Sequence, residues 1–371
     1  MDTKMKKWLE SLPRVPDAAA TAYIAHMGEL VEQVNRIMAA RTDIYSLIGD
    51  NPLSVMFDNH RNHGMLVRTV LALDQWDLLI RNLAWVYRTY RNQGFDFSYF
   101  PAQYQAWQKA MENLLPPDAE KALRPVYEWM AAHHAEIIAA SRKPQQNKSR
   151  PDPQWRGYQD DFLQALLRGD RNASMDIARD CVADAQQLQQ FYLRVVQPAM
   201  YAVGELWENG DISVAKEHLA SAIANRVLAG QYVEVMESAQ QERGRVLVTA
   251  APNEFHEIGP TMVANCLEAD GWRVEYLGAN TPAEELLHYA YAAGFDVIAI
   301  SAAMAFALDS VKEMIRSIRS WPENMQPRIL LGGMVFVDFP GLPEKLGADG
   351  YASDCREAVE VLRHWQKGGS A

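Results

Sequence analysis

The chain has 371 residues, 49% of them hydrophobic, enough for two or three domains at roughly 100–200 residues each. A net charge of −11 without a basic cluster argues against direct nucleic-acid binding, and no run approaches the ~20 uncharged apolar residues of a membrane-spanning helix. The three cysteines, Cys181, Cys266 and Cys355, lie far apart with neither metal-ligand spacing nor a disulfide framework, which suits a reducing cytoplasm. The start, Met1 to Trp8, lacks the apolar run of a signal peptide.

The first segment, residues 1–145 with its patterned part at about 17–141, reads as all-helical. Leu71, Leu78, Leu79, Leu83 and Val86 fit one apolar helical face, and Gly94, Pro101 and Pro116-Pro117 punctuate the segment. It is rich in Trp, Tyr, His and Arg, most densely from Asp77 to Phe95. Arg81 and Arg88 fall two turns apart on one face, with Arg91 following, and guanidinium groups so placed suit propionate carboxylates. His60, His63, Trp85, Tyr87, Tyr90, His133 and His134 are the residues able to line or ligate a tetrapyrrole. The competing reading is a helical dimerisation or signalling domain whose aromatics are core and whose arginines form a solvated face.

Arg142 to Pro153 is the most polar, proline-containing stretch and reads as a linker, with a second junction near Ser238 to Gly244. Between them, residues 153–240 show helical periodicity and almost no strand signal. Phe162, Leu163, Leu166 and Leu167 make one stripe; Leu188, Tyr192, Val195 and Val196 make another, expected to stop near Pro198. Val214 to Met236 supplies a long helix, and the whole reads as a four-helix bundle.

From residue 244 to 371 short apolar strands alternate with helices. Strands are expected at 245–251, 273–277, 296–301, 328–332 and 349–352, and helices at 257–270, 282–293, 307–320 and 355–367. That alternation is the signature of a Rossmann-like, doubly wound parallel sheet. The first strand hands over to its helix through Glu254-Phe255-His256-Glu257-Ile258-Gly259, which holds a histidine at the carboxyl edge of the sheet, where such folds bind ligands.

Glu-x-His-x-x-Gly resembles the Asp-x-His-x-x-Gly signature of cobalamin-binding domains. The resemblance implies His256 as the lower cobalt ligand, Glu254 as the carboxylate that fixes its tautomer, and Gly259 as the point where the helix start approaches the corrin edge. Two further positions match. Ser301-Ala302-Ala303 stands where the family has Ser-x-Leu, so Ser301 would bond the displaced benzimidazole while Ala303 departs from the leucine. Gly332-Gly333 would give a backbone surface for the nucleotide tail.

Nine residues separate Trp207 from the pair Glu217-His218. This is similar to the motif of cobalamin-dependent light-sensing repressors of carotenoid genes. There the bundle caps the upper corrin face, the tryptophan lies over the adenosyl group, and the glutamate and histidine surround it; Val214 falls in the same stretch. The resemblance implies adenosylcobalamin as cofactor and photolysis of its cobalt–carbon bond as trigger. One departure stands out. The family's histidine after the tryptophan, which ligates cobalt after photolysis, is Glu208 here.

The first segment resembles a globin-like sensory module, and the whole chain resembles the photocobilins, which pair cobalamin with a bilin such as biliverdin. No cysteine precedes Cys181, so a pigment in this segment would be non-covalent, with Arg81, Arg88 and Tyr87 as candidate contacts and haem as the alternative pigment. The expected function is a non-enzymatic cytoplasmic photoreceptor. It would form a homo-oligomer, a dimer in the simplest case, whose light-dependent change acts on an effector protein, without nucleic acid or membrane. The alternatives are a corrinoid protein carrying methyl groups for a partner methyltransferase and a cobalamin-responsive antirepressor.

Overall fold

The computed structural model describes residues 3–142, 153–236 and 243–368. The expected linker falls almost entirely on 143–152, and most of the second junction on 237–242, both outside the described residues. The chain divides into two compact units, Met1–Gln146 with Glu208–Asp211, and Asn147–Trp207 with Ile212–Ala371.

The first unit is all-α. Its helices are α1 (Thr3–Ser11), α2 (Asp17–Ala39), α3 (Ile44–Ile48), α4 (Leu53–Leu73), α5 (Trp76–Asn92), α6 (Tyr99–Leu114), α7 (Pro117–Ala132) and α8 (His134–Ser141). Helix starts and stops follow local chemistry. Pro117 occupies the first position of α7, where its missing N–H costs nothing, and α4 ends on Asp74 in the left-handed region. Helix α1 precedes the residue-17 start expected from the patterned sequence. It is held by Trp8, which is buried edge-on against Trp129 of α7 and donates to the Glu136 carboxylate. The core is unusually aromatic: Tyr23, Tyr87, Tyr99, Trp107 and Tyr127 are all inaccessible to solvent.

The second unit begins with α9 (Arg156–Arg168), α10 (Arg171–Cys181), α11 (Ala185–Phe191), α12 (Gln197–Glu208) and α13 (Val214–Met236). Asp170 and Asp184 accept backbone N–H groups at the starts of α10 and α11, the standard cap for orphan donors. Pro198 does not end the third rod. A π turn at Tyr192–Val196 joins α11 to α12, and the helix runs on to Glu208. Proline lacks the N–H that an α-helix needs, and a wider turn immediately before it absorbs the lost bond and the ring. With α11 and α12 continuous, the bundle has four rods.

The sheet contains β1 (Arg245–Ala250), β2 (Arg273–Tyr276), β3 (Val297–Ser301), β4 (Arg328–Gly332) and β5 (Gly350–Ala352), all parallel in the order β2-β1-β3-β4-β5. The connecting helices are α14 (Ile258–Ala269), α15 (Ala283–Ala293) and α16 (Leu308–Arg319). Two short helices that the sequence pattern does not announce, α17 (Met334–Asp338) and α18 (Leu342–Leu346), precede the final α19 (Cys355–Gln366). The strand order reverses between β1 and β3, which makes the crevice beyond their carboxyl ends the switch point of the sheet.

Bundle and sheet share one hydrophobic core. Phe191, Tyr192, Ala224, Val227 and Leu228 of the bundle belong to the same buried cluster as Met262 and Leu267 of α14 and Val246 and Val248 of β1. A buried bond from the Asn265 amide to the Tyr192 hydroxyl, 2.8 Å long, pins α14 to the π turn. The bundle is therefore fixed over the helix that follows the His256 loop.

Candidate cofactor site

The loop after β1 leaves the sheet at Ala251, whose N–H donates to Ser301 O, and turns at Asn253 in the left-handed region. The next residue, Glu254, points inward and is 1% exposed. Its carboxylate accepts five hydrogen bonds. Oε1 takes the N–H groups of Phe255 (3.0 Å) and His256 (3.2 Å) and the His256 ring at 2.5 Å; Oε2 takes the N–H groups of Ala303 (2.7 Å) and Met304 (2.9 Å) from the loop after β3. Glu254 thus ties together the two loops that flank the switch point. A buried carboxylate is costly unless so satisfied.

Each partner shifts the other. Burial pushes the Glu254 carboxyl up, but the imidazole and the Ala303 and Met304 amides outweigh it and hold the group below the usual carboxylate range. Glu254 in turn raises His256 against the opposing effect of burial, and Glu217 adds to the rise from across the cleft. The His256 side chain is nevertheless 64% exposed. With Nδ1 committed to Glu254, Nε2 is the nitrogen presented outward, the arrangement that suits a metal-binding imidazole.

The glycines separate into two kinds. Gly333 has φ +104°, and a Cβ there would lie 2.2 Å from Ala302 O, so the chain's own packing requires glycine. A Cβ on Gly332 would meet Ala352 O at 3.0 Å, whereas one on Gly259 would meet nothing within 4 Å. Gly259 is open space at the start of α14, beside the His256 loop. Ser301 lies partly exposed at the sheet edge, in register with Ala250 and Gly332. Ala303 contributes its N–H, which any residue but proline would supply, so the departure from leucine leaves the Glu254 anchor untouched.

On the bundle side, α13 opens with Val214, which is 49% exposed. Glu217 and His218 follow, their side chains 2.5 Å apart, and the second Glu217 oxygen accepts from Ser221 Oγ at 2.7 Å. Trp207, in the last turn of α12, packs half-buried against the shared core. Glu208 is the last residue of that helix. Asn225, two turns beyond Glu217 on the same face of α13, donates to Glu257 Oε1 at 2.6 Å. The sequence motifs contain neither Asn225 nor this contact; the i, i+4, i+8 spacing from Glu217 is the signal that marks it.

In the first unit, Tyr87 is buried. Its ring stacks on Phe100 at 3.6 Å, and its hydroxyl meets those of Tyr104 (3.3 Å) and the His134 Nδ1 (3.0 Å). Arg81 and Arg88 are partly buried on α5 and both are engaged within the protein. His60 and His63 enter one aromatic cluster. His60 bonds Asn35 through Nδ1 and stacks over Tyr99, while His63 packs against Tyr104, Trp107 and Tyr127. His60 Nε2, His63 Nε2, Tyr99 OH and Trp107 Nε1 are buried with no hydrogen-bond partner. Burial lowers His60 to about 3, with His63 adding to it, and lowers His63 to about 4. His133 lies elsewhere, stacked on Trp129 with its Nδ1 on the Trp129 carbonyl.

Residues 244–360 match the B12 binding domain family, and residues 158–229 match a second B12 binding domain family. The chain carries B12-binding domains, which indicate a cobalamin or corrinoid cofactor. A corrinoid protein of Desulfitobacterium hafniense is 23% identical over 54% of this chain and 94% of its own length. Dimethylamine corrinoid protein 3 of Methanosarcina acetivorans is 24% identical over 43% and 74%. The HTH-type transcriptional repressor CarH of Myxococcus xanthus is 28% identical over 56% of this chain and 66% of that protein. The two family matches span the His256 loop and the bundle that caps it.

Proposed function

We propose that this chain is a non-enzymatic light receptor that holds adenosylcobalamin between the bundle and the sheet, with His256 as the lower cobalt ligand. The observation that carries the cobalt-ligand part of the reading is the Glu254–His256 pair, in which one ring nitrogen is anchored and the other is open; the light-receptor part rests on the Trp207, Glu217 and His218 spacing. The fit extends outward from it. Gly259 leaves room for a corrin edge, and Phe255 (71% exposed), Val214 (49%) and Val337 (39%) offer apolar surface on the flanking elements. Ser301, Gly332 and Gly333 line the sheet edge on which the nucleotide tail would lie.

When bound, adenosylcobalamin supplies a cobalt–carbon bond that visible light breaks. The residues of α12 and α13 then define what the protein does. Trp207, Val214, Glu217 and His218 would wall the upper face and pack against an adenosyl group there, so the cap would favour one arrangement with that group and another without it, by the difference in affinity between the two. Glu208 offers a carboxylate where the light-sensing repressors have an imidazole, so a second histidine ligand does not come from that position. The change would pass to a second copy of the chain or to an effector protein, in the cytoplasm.

We infer a second, non-covalent pigment of the bilin class, such as biliverdin, in the first unit. The buried, unsatisfied atoms of His60, His63, Tyr99 and Trp107 support it, since unpaired buried polar groups are costly without a ligand. Arg81, Arg88 and Tyr87 sit on the adjoining helix α5.

A second reading has support of its own. The similarity to corrinoid proteins favours a carrier of methyl groups for a partner methyltransferase, and the similarity to a repressor leaves room for a cobalamin-responsive regulator. Illumination separates these. Full-length protein loaded with adenosylcobalamin in the dark should change both its absorption spectrum and its size-exclusion volume after green light. An unchanged elution volume with complete photolysis would favour the carrier.

A further inference from the structure

His256 stands between two carboxylates that are tied to different parts of the second unit. Glu254 fastens the loop to the sheet through the N–H groups of Ala303 and Met304. Glu257 fastens it to the cap, because its Oε1 accepts from Asn225 Nδ2 of α13 at 2.6 Å. The Glu257 backbone is equally constrained, its carbonyl accepting from the Thr261 N–H (2.9 Å), the Thr261 hydroxyl (2.7 Å) and the Tyr276 hydroxyl (3.2 Å). A pull on the Glu257 side chain is therefore transmitted to the turn that carries His256 rather than dissipated in a loose loop.

Helix α13 carries the other end of the connection. Glu217, Ser221 and Asn225 recur every four residues and share one face, so the residues that wall the upper side of the cleft and the residue that grips the lower loop move together. Further along α14, the contact between bundle and sheet is firm: Asn265 bonds the buried Tyr192, and Ala224, Val227 and Leu228 pack into the common core. The Asn225–Glu257 bond is solvent-exposed and lies at the cleft end, where a shift of the cap has the most leverage.

We propose that Asn225 is a positioning residue: its bond to Glu257 couples the cap helix to the His256 loop, so that the order of the lower-ligand loop depends on the position of the cap. The inference rests on the cobalamin reading of the site. Hydrogen–deuterium exchange on the full chain, without cofactor and then with hydroxocobalamin, tests it. In the cofactor-free protein, Asn225→Ala should speed exchange across 255–258 by about fivefold, the scale of one net hydrogen bond, while the Ala303 and Met304 amides, which lie on the loop after β3 and bond the other Glu254 oxygen, stay protected. Glu257→Gln keeps the accepting oxygen and should retain most of the protection.

The double variant Asn225→Ala/Glu257→Ala should match either single alanine variant rather than add to it, since both remove the same bond. With hydroxocobalamin bound, Asn225→Ala should increase the fraction of cofactor whose absorption lacks protein nitrogen ligation. Unchanged exchange at 255–258 in Asn225→Ala, or additive effects in the double variant, would overturn the coupling. Failure of the unaltered chain to take up hydroxocobalamin would instead overturn the cobalamin reading, and the exchange arm would still decide whether the bond couples cap and loop.

Discussion

Glu254 and His256 share a 2.5 Å hydrogen bond in which one partner is buried and the other is exposed. The asymmetry makes the pair useful. The carboxylate spends its remaining capacity on four backbone N–H groups from two loops, so the imidazole is aimed by the sheet itself. Replacing Glu254 with alanine should lower cobalamin affinity by about 10–100-fold, the usual effect of removing the carboxylate behind a ligating histidine. It should also cost on the order of 2–4 kcal/mol of stability, because the Ala303 and Met304 amides lose their buried acceptor. Equilibrium cobalamin titration and urea unfolding measure the two effects.

Two of the glycines singled out in the sequence, Gly333 and Gly259, should respond in opposite ways. Gly333→Ala forces a side chain into φ +104° and against the Ala302 carbonyl, so the second unit should lose at least ~2 kcal/mol whether or not cobalamin is present. Gly259→Ala adds a methyl to open space in the first turn of α14, so the cofactor-free protein should be unharmed or more stable by up to ~1 kcal/mol. Its cobalamin affinity should fall about tenfold, as overpacking against a corrin edge predicts. Unfolding curves and titrations of the two variants distinguish a glycine kept for the fold from one kept for a ligand.

The buried histidines of the first unit make it acid-sensitive. His60 and His63 titrate near 6.5 when unfolded but at about 3 and about 4 when folded. Between those values the unfolded chain binds more protons. Their contribution is therefore complete above about pH 6.5 and is lost as the pH falls toward 4, at about 1.4 kcal/mol per pH unit for each histidine. Urea midpoints for the first unit at about pH 7.5 and about pH 5.5 should differ accordingly. His60→Gln/His63→Gln should flatten the difference.

Tyr192→Phe removes the hydroxyl that the buried Asn265 amide donates to. The second unit should lose about 1–3 kcal/mol, the cost of an unsatisfied buried donor. Because the bond joins the bundle to α14, the loss should register in one cooperative transition of bundle and sheet together. Separate transitions in differential scanning calorimetry would show that the shared core does not couple them.

The sheet was plain in the sequence because its strands are short apolar runs bounded by turns, and β1, β3 and β4 fill the buried positions those runs require. The His256 loop is legible because Glu254-x-His256-x-x-Gly259 follows β1 directly and so stands at the carboxyl edge of the sheet, where such folds bind ligands; a loop histidine without that context is more often a surface or capping residue. Pro198 reads as a helix stop because proline breaks the α-helical bonding pattern, while the π turn that accommodates it leaves no mark in the sequence. Helices α17 and α18 leave no sequence signal because five-residue helices carry too few turns to show a period. The Ala303 and Met304 contributions could not be read at all, because they are made by backbone N–H groups. In the first unit the aromatic density was legible, but which histidines share a cluster depends on how α2, α4, α6 and α7 pack.

The absorption spectrum of full-length protein loaded with adenosylcobalamin in the dark, compared with that of His256→Ala, tests the central claim most directly. The unaltered chain should show cobalt ligated by a protein nitrogen, and the variant should lose that signature while keeping its fold by circular dichroism. Identical spectra for the two proteins would contradict it.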